Sequence, residues 1–304
     1  MKNRIAPLLP PIVRNRILPG WEPKPVVAVV RLAGIIGPSQ PLRGGLNLAA
    51  VAGPLEAAFS LKGAKAVALI VNSPGGSPVQ SSLIYKRIRS LAEEKELPVY
   101  AFAEDVAASG GYMIACAADE IYADESSVIG SIGVVSAGFG FTGLIEKLGV
   151  ERRVHTAGES KAMLDPFQPE KEEDVKRLAA LQRDVHENFK KLVRDARGDR
   201  LKADDPAIFS GEFWAGEGAV ARGLIDGIAD IRGKMRELFG KDVKLKLITQ
   251  RTPWWRPGGG VGFARFPGGF ERPLEHLGAG FASEIGDGLI AAAERRSLWS
   301  RFGL

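Results

Sequence analysis

A single cysteine, Cys116, occurs in the 304 residues, so no internal disulfide can staple the chain. Its three histidines, His155, His186 and His276, fall in no H-E-x-x-H pattern and have no cysteine pair beside them. The sequence therefore calls for no metal and no cofactor. No segment reaches 18 apolar residues free of charge. The N-terminal run Ile5-Ala6-Pro7-Leu8-Leu9-Pro10-Pro11-Ile12-Val13 is broken by proline and flanked by Arg4 and Arg14, whereas a membrane-spanning helix needs about 20 apolar residues. It also lacks the h-region and cleavage site of a signal peptide. A cytoplasmic protein, at most peripheral at the inner membrane, is the expectation. Excess charge is slight, with 41 basic against 36 acidic side chains. Aromatics are not interleaved with Lys and Arg, so nucleic acid is not an expected partner.

What the chain does have is apolar material for a sizeable core, 45% of its residues. Residues 26–32, 66–71 and 99–103 are short runs of β-branched and apolar side chains, as expected of strands buried on both faces. Between the last two, Leu83, Ile84, Ile88 and Leu91 recur at helical spacing over 79–94. Further strands are expected at 120–123 and 131–135. The clearest helix is 171–197, where Val175, Leu178, Leu181, Val185, Phe189, Leu192 and Ala196 trace one stripe, read as core-facing, with Gly198 just beyond. Strands alternating with helices predict an α/β domain with a mostly parallel sheet.

Chemistry concentrates in two blocks. Asn72-Ser73-Pro74-Gly75-Gly76-Ser77 is a glycine-lined turn, and Ala107-Ala108-Ser109-Gly110-Gly111-Tyr112 sets an isolated serine after a strand, at the start of a predicted helix. Acyl transfer needs an unobstructed hydroxyl and backbone N–H groups that can approach an oxyanion, and glycine permits that approach. The helix dipole favours the negative charge that forms during attack. Ser109 does not sit in a G-x-S-x-G elbow, because position 107 is alanine. The base is a histidine without a supporting motif or Lys161, in Gly158-Glu159-Ser160-Lys161, since a lysine held neutral by burial accepts a proton from serine. Cys116 lies on the same helix as Ser109 and reads as a packed core thiol.

These two blocks, followed by Gly130-Ser131-Ile132-Gly133-Val134, Ser160-Lys161, and Gly211 with Ala215 and Gly223-Leu224-Ile225-Asp226, resemble the SppA-type signal peptide peptidases, the S49 family of Ser-Lys peptidases. The resemblance implies a ClpP/crotonase-like spiral fold. It implies Ser109 as nucleophile, Lys161 as general base, the N–H groups of Gly76 and Gly110 as oxyanion hole, and Ser131 as the group orienting the lysine amine. It also implies a homo-oligomer whose sites draw serine and lysine from different subunits, acting on extended peptides such as cleaved signal peptides. Two rivals remain: a crotonase-type acyl-CoA enzyme, for which Glu104 or Asp105 would be the acid near the glycine turn, and a proteolytically inactive scaffold for a membrane protein.

The expected organisation is an N-terminal extension, 1–24, the peptidase domain, 25–250, and a Gly/Pro-rich C-terminal extension, 251–304. Residues 289–304 carry Arg295, Arg296 and Arg301 among Leu298, Trp299 and Phe302. This tail is a candidate for weak membrane-surface contact, for packing on a neighbouring subunit, or for remaining disordered.

Overall fold

The computed structural model describes residues 23–38, 45–158, 160–202, 206–249 and 296–303. The N-terminal proline-broken run and the 252–280 segment lie outside them, as do residues 289–295 of the arginine-bearing tail.

Three apolar strands form the centre. Strand β1 (Val26–Ala33) is followed by α1 (Leu48–Phe59), β2 (Ala64–Ser73), α2 (Pro78–Lys95) and β3 (Val99–Ala108). The pairings β1 to β2 and β2 to β3 are parallel, as strands joined by crossover helices must be. The helix termini are written in the sequence. Asn47 caps α1 by accepting from the Ala50 N–H at 3.0 Å, and α2 opens on Ser77 with Pro78 in its first turn.

Beyond β3 come α3 (Gly110–Ala115), β4 (Glu120–Ala123), β5 (Val128–Gly130), α4 (Thr142–Lys147), α5 (Glu172–Arg197), β6 (Phe213–Trp214), α6 (Gly216–Ala221), β7 (Gly227–Ile228), α7 (Ile231–Phe239) and β8 (Lys244–Leu247). The sheet order is β6-β5-β3-β2-β1-β8, with β4 on β3 and β7 on β4. All pairings are parallel except β5 with β6. This is the mostly parallel α/β architecture the sequence implies. One face buries a large core including Leu32, Leu69, Ile84, Ile88, Ile114 and Phe189. The other holds a smaller cluster around Val27, Phe102, Tyr122 and Met235, the last from α7.

Three local differences from the sequence reading bear on function. Strand β3 does not stop at Ala103 but runs to Ala108, so it delivers Ser109 directly with no loop between. Residues 131–135 are not a strand. Strand β5 instead ends at Gly130, where Gly130 at φ 115° and Ser131 at φ 52° turn the backbone out of extended geometry. The stripe of α5 is core-facing only in its C-terminal half, where Phe189 and Val193 are buried, while Val175 and Leu181 stay exposed. Periodicity shows a helix has an apolar face but not what covers it.

The far end of α5 is held by charge. Arg197, buried to 2% exposure, forks onto Asp226 at 2.8 and 3.0 Å and donates to the Gly223 carbonyl at 2.9 Å. Asp226 also accepts from the Ile121 N–H at 2.7 Å and from Arg200 at 3.2 Å. Helix α5 is thereby tied to β4 and to the 223–226 turn.

Candidate active site

Ser109 sits at the C-terminal end of β3, and the 73–77 turn sits at the C-terminal end of the neighbouring β2. Ligands of open parallel sheets bind at this end. Ser109 is the residue before α3 and adopts φ 51°, ψ −122°, a conformation ordinarily left to glycine. The strained kink lifts the side chain out of the strand at the helix start. Its own N–H is anchored on the Gly130 carbonyl at 2.8 Å.

The glycines around it are required by space. A Cβ on Gly75 would lie 2.8 Å from the Ser109 Cβ, one on Gly76 only 2.0 Å from the Ile36 carbonyl oxygen, and one on Gly110 2.3 Å from Ser81 Oγ. The turn is pinned from both sides, Ile36 donating to the Gly75 carbonyl at 2.8 Å and accepting from the Ser77 N–H at 2.8 Å. The N–H groups of Gly76 and Gly110 have no hydrogen-bond partner among the described residues, the latter as the first residue of a helix. Gly76, Ser109 and Gly110 share the wall of one small cavity, about 20 Å³, closed by Met113, Gly133, Val134, Val185 and Phe189.

Ser131 stands one strand over. Because Ala108 pairs with Gly130, Ser109 and Ser131 leave adjacent parallel strands in register, both with φ near 50°. Ser131 is buried, its N–H held by the Glu212 carbonyl at 2.6 Å. Among the described residues its hydroxyl has no hydrogen-bond partner.

Lys161 is exposed and does not line the cavity. Its turn is fastened to the first turns of α5: Arg177 donates to Ser160 Oγ at 3.0 Å and the Leu164 N–H to Asp174 at 3.4 Å. Val185, which does line the cavity, is 8 to 11 residues further along, or roughly 12–16 Å at the helical rise. The structure thus gathers Ser109, Gly76 and Gly110, sets Ser131 beside them, and leaves Lys161 on the outside of the same protomer.

Two groups escaped sequence reasoning. His186, on α5 between two cavity-lining turns, contacts the Ile132 carbonyl through Nε2 at 3.1 Å, and only its position in the 171–197 stripe could have hinted at this. The Arg197–Asp226 pair had no signal at all beyond the recurrence of Asp226 in a motif. Cys116 is buried as expected. Burial pushes its thiol up to about 12, with Arg197 opposing, so it is inert as a nucleophile. Tyr112 is also buried; its hydroxyl donates to the Leu224 carbonyl at 2.7 Å, and burial raises its pKa. Glu104 and Asp105 are engaged away from the cavity, with Arg31 and Asn72 respectively. Among the described residues there is no cluster of metal-ligating side chains, and no helix long and apolar enough to cross a membrane.

A hydroxyl on a strained strand-to-helix kink, sharing a small cavity with free backbone N–H groups, is the layout of covalent acyl transfer. The chain belongs to Peptidase family S49, whose sequence pattern matches residues 92–244. It is 53% identical over 280 residues to a Brucella abortus protein named Na(+)/H(+) antiporter NhaA, covering 91% of this chain and 37% of that protein. It is 35% identical over 191 residues to the putative signal peptide peptidase SppA of Enterococcus faecium, covering 63% of this chain and 54% of the relative. The putative protease MJ0651 of Methanocaldococcus jannaschii is 33% identical over 184 residues, with coverages of 60% and 57%. The chain thus spans little more than a third of the first of these relatives and just over half of the others. Among solved structures, the 1510-N membrane-bound stomatin-specific protease aligns with a TM-score of 0.48 and 15% identity, covering 75% of this chain and 94% of its own.

Proposed function

We propose that the protein is a serine endopeptidase in which Ser109 attacks the carbonyl of an extended peptide, the N–H groups of Gly76 and Gly110 hold the oxyanion, and Lys161 takes the serine proton. The observation that carries this is Ser109 at φ 51° on the wall of a cavity shared with two unpartnered glycine N–H groups. In balance, the serine oxygen bonds to the carbonyl carbon, the C–N bond breaks, and the proton held by the lysine passes to the leaving amine. Water then reverses the sequence to free the acid. Ser131, in register with Ser109, orients the lysine amine.

Lysine is a base only when unprotonated, and its ordinary pKa of about 10.4 has to be lowered by removal from water. Lys161 is exposed in the single protomer, so a second copy supplies that burial in this reading. Val135, Phe139, Leu144, Leu148, Val175 and Leu181 are all exposed along the segment that carries Lys161 and the helix after it, an apolar surface of the kind that packs against a neighbour. The substrates are extended chains, signal peptides among them. Reaction of the intact protein with a serine-directed phosphonate, followed by mapping of the adduct, is expected to place the label on Ser109. A label elsewhere, or none, overturns the assignment.

A second reading, a silent scaffold on a membrane transporter, is favoured by the antiporter name carried by the Brucella relative. It requires that wild type cleave no peptide. The acyl-CoA alternative fits less well, since Glu104 and Asp105 are paired elsewhere.

The oxyanion turn has its own test. Gly76→Ala would push a methyl into the Ile36 carbonyl and shift the turn, so kcat is expected to fall by about 10²–10³. An unchanged kcat would remove Gly76 from the site.

A further inference from the structure

The sheet ends on one side in an open strand. Strand β8 pairs with β1 from Val26 opposite Lys244 to Val29 opposite Leu247, and no described strand lies on its other side. Lys244 and Ile248 donate their backbone N–H groups to the Pro25 and Val29 carbonyls, each at 2.8 Å. Backbone direction alternates along a strand, so the N–H and C=O groups of Leu245 and Leu247 point away from β1, and among the described residues they have no partner.

A groove of about 500 Å³ follows this edge, in the size range of sites that hold ligands. Its walls come from both faces of the sheet. By register Lys244 and Lys246 share the face of Val26 and Ala28, while Arg232 and Arg236, one turn apart on α7, belong to the face where Val27, Leu245 and Met235 pack. Among the described residues none of these four cationic side chains has an ion-pair or hydrogen-bond partner, although carboxylates stand close by in sequence. Asp230 is occupied by the Arg232 and Gly233 N–H groups at 2.8 and 3.0 Å, Glu237 by Lys234 at 2.7 Å, and Asp242 by Lys24. Lysines on an open strand keep a second copy from pairing there, because like charges directly opposite repel. That accounts for Lys244 and Lys246 but not for two arginines on a helix.

We propose that the β8 edge takes up an extended acidic segment of another protein as an added strand. The outward backbone groups of Leu245 and Leu247 supply the ladder. Successive side chains of the added strand point to opposite faces, so consecutive Asp or Glu residues meet Lys244 and Lys246 on one face and Arg232 and Arg236 on the other. A second copy of β8 cannot take this place, since it would set lysine against lysine. The groove starts beside Val26, at the N-terminal end of β1, whereas Ser109 follows the C-terminal end of β3, on the far side of β2. A bound segment therefore leaves the cavity at Ser109 clear, and the inference does not depend on Ser109 being the nucleophile.

The test uses the full chain carrying Ser109→Ala, so that no peptide is cut, and fluorescence anisotropy with labelled decapeptides. The reference peptide has four consecutive glutamates at its centre, between threonines and valines. Replacing the glutamates by glutamines is expected to weaken binding about tenfold or more, and added salt to weaken it further. Leu247→Pro removes an outward N–H and keeps the bonds to β1, and it is expected to weaken the glutamate peptide about tenfold although the charges are unchanged. Arg232→Glu with Arg236→Glu reverses the charge on one face alone. That protein is expected to prefer a peptide alternating glutamate and lysine over the glutamate peptide, a gain no misfolded variant would show. Equal binding of the glutamate and glutamine peptides, or no binding of either, overturns the proposal. So does a Leu247→Pro protein that binds as before, which would leave charge attraction without an added strand. Sedimentation with phosphatidylglycerol vesicles that the two Arg→Glu changes abolish, in a protein that does not sort the peptides, would overturn it in favour of a lipid surface.

Discussion

A one-to-one mixture of Ser109→Ala and Lys161→Ala proteins, assembled together, is expected to regain peptide cleavage that neither has alone. Each variant by itself should lose about 10⁴-fold or more in kcat, because the residues of a nucleophile-base pair act as a unit. If Lys161 serves the serine of a neighbouring copy, random mixing leaves about a quarter of the sites with an intact serine from one protomer and an intact lysine from the next. If it serves its own chain, mixing restores nothing. The protomer's geometry motivates the first outcome: the turn bearing Lys161 is strapped to the start of α5 through Arg177 and Asp174, while the cavity abuts the middle of that helix. Activity near a quarter of wild type would support a shared site. Absence of recovery, in a mixture shown to form mixed assemblies, would place both residues in one chain or dismiss the lysine.

The second large effect is on stability. Asp226→Ala strands Arg197, buried to 2% exposure, without its carboxylate, and removing one partner of a buried pair typically costs about 3–5 kcal/mol. Thermal melting should show a loss of many degrees. The pH dependence follows from the same contacts. Burial alone would raise the Asp226 pKa, but the Arg197 fork, the Ile121 N–H and Arg200 outweigh it, and the carboxyl lies below its usual range. A carboxyl whose folded pKa is depressed contributes stability that is present above its unfolded value, about 3.9, and is lost as pH falls through the folded one. Wild type is therefore expected to weaken below about pH 4, and Asp226→Asn to show a flatter melting profile there. Equal slopes would assign the acid sensitivity to other carboxylates.

Much of the fold could be read from the chain, for a physical reason. The central stretches of β1 to β3, 26–30, 66–71 and 99–103, are apolar runs because both faces of the sheet are covered there, and α2 and α5 carry their period in full. The short strands could not be seen: two residues at Phe213–Trp214 or Gly227–Ile228 have no period, and β8 is Lys-Leu-Lys-Leu at a sheet edge. The glycine turn was legible because crowding at Gly75, Gly76 and Gly110 leaves no choice of residue, and Ser109 because it stands as a lone hydroxyl among alanines and glycines. Lys161 was legible as a motif but not as a place, since its position depends on long-range contacts and on any neighbouring copy. The exposed half of α5 departs from the core-facing reading because the spacing of an apolar stripe does not say what, if anything, covers it.

Ser109 and Ser131 both hold backbone angles that glycine adopts freely and other residues adopt at about 1–3 kcal/mol each. Under the proposed mechanism, chemistry and folding therefore pull these two positions in opposite directions. A descendant of this chain released from the need to react would gain robustness by drifting to glycine at either position. Such a drift would be an earlier mark of a retired enzyme than any change at the lysine, whose replacement leaves the backbone indifferent.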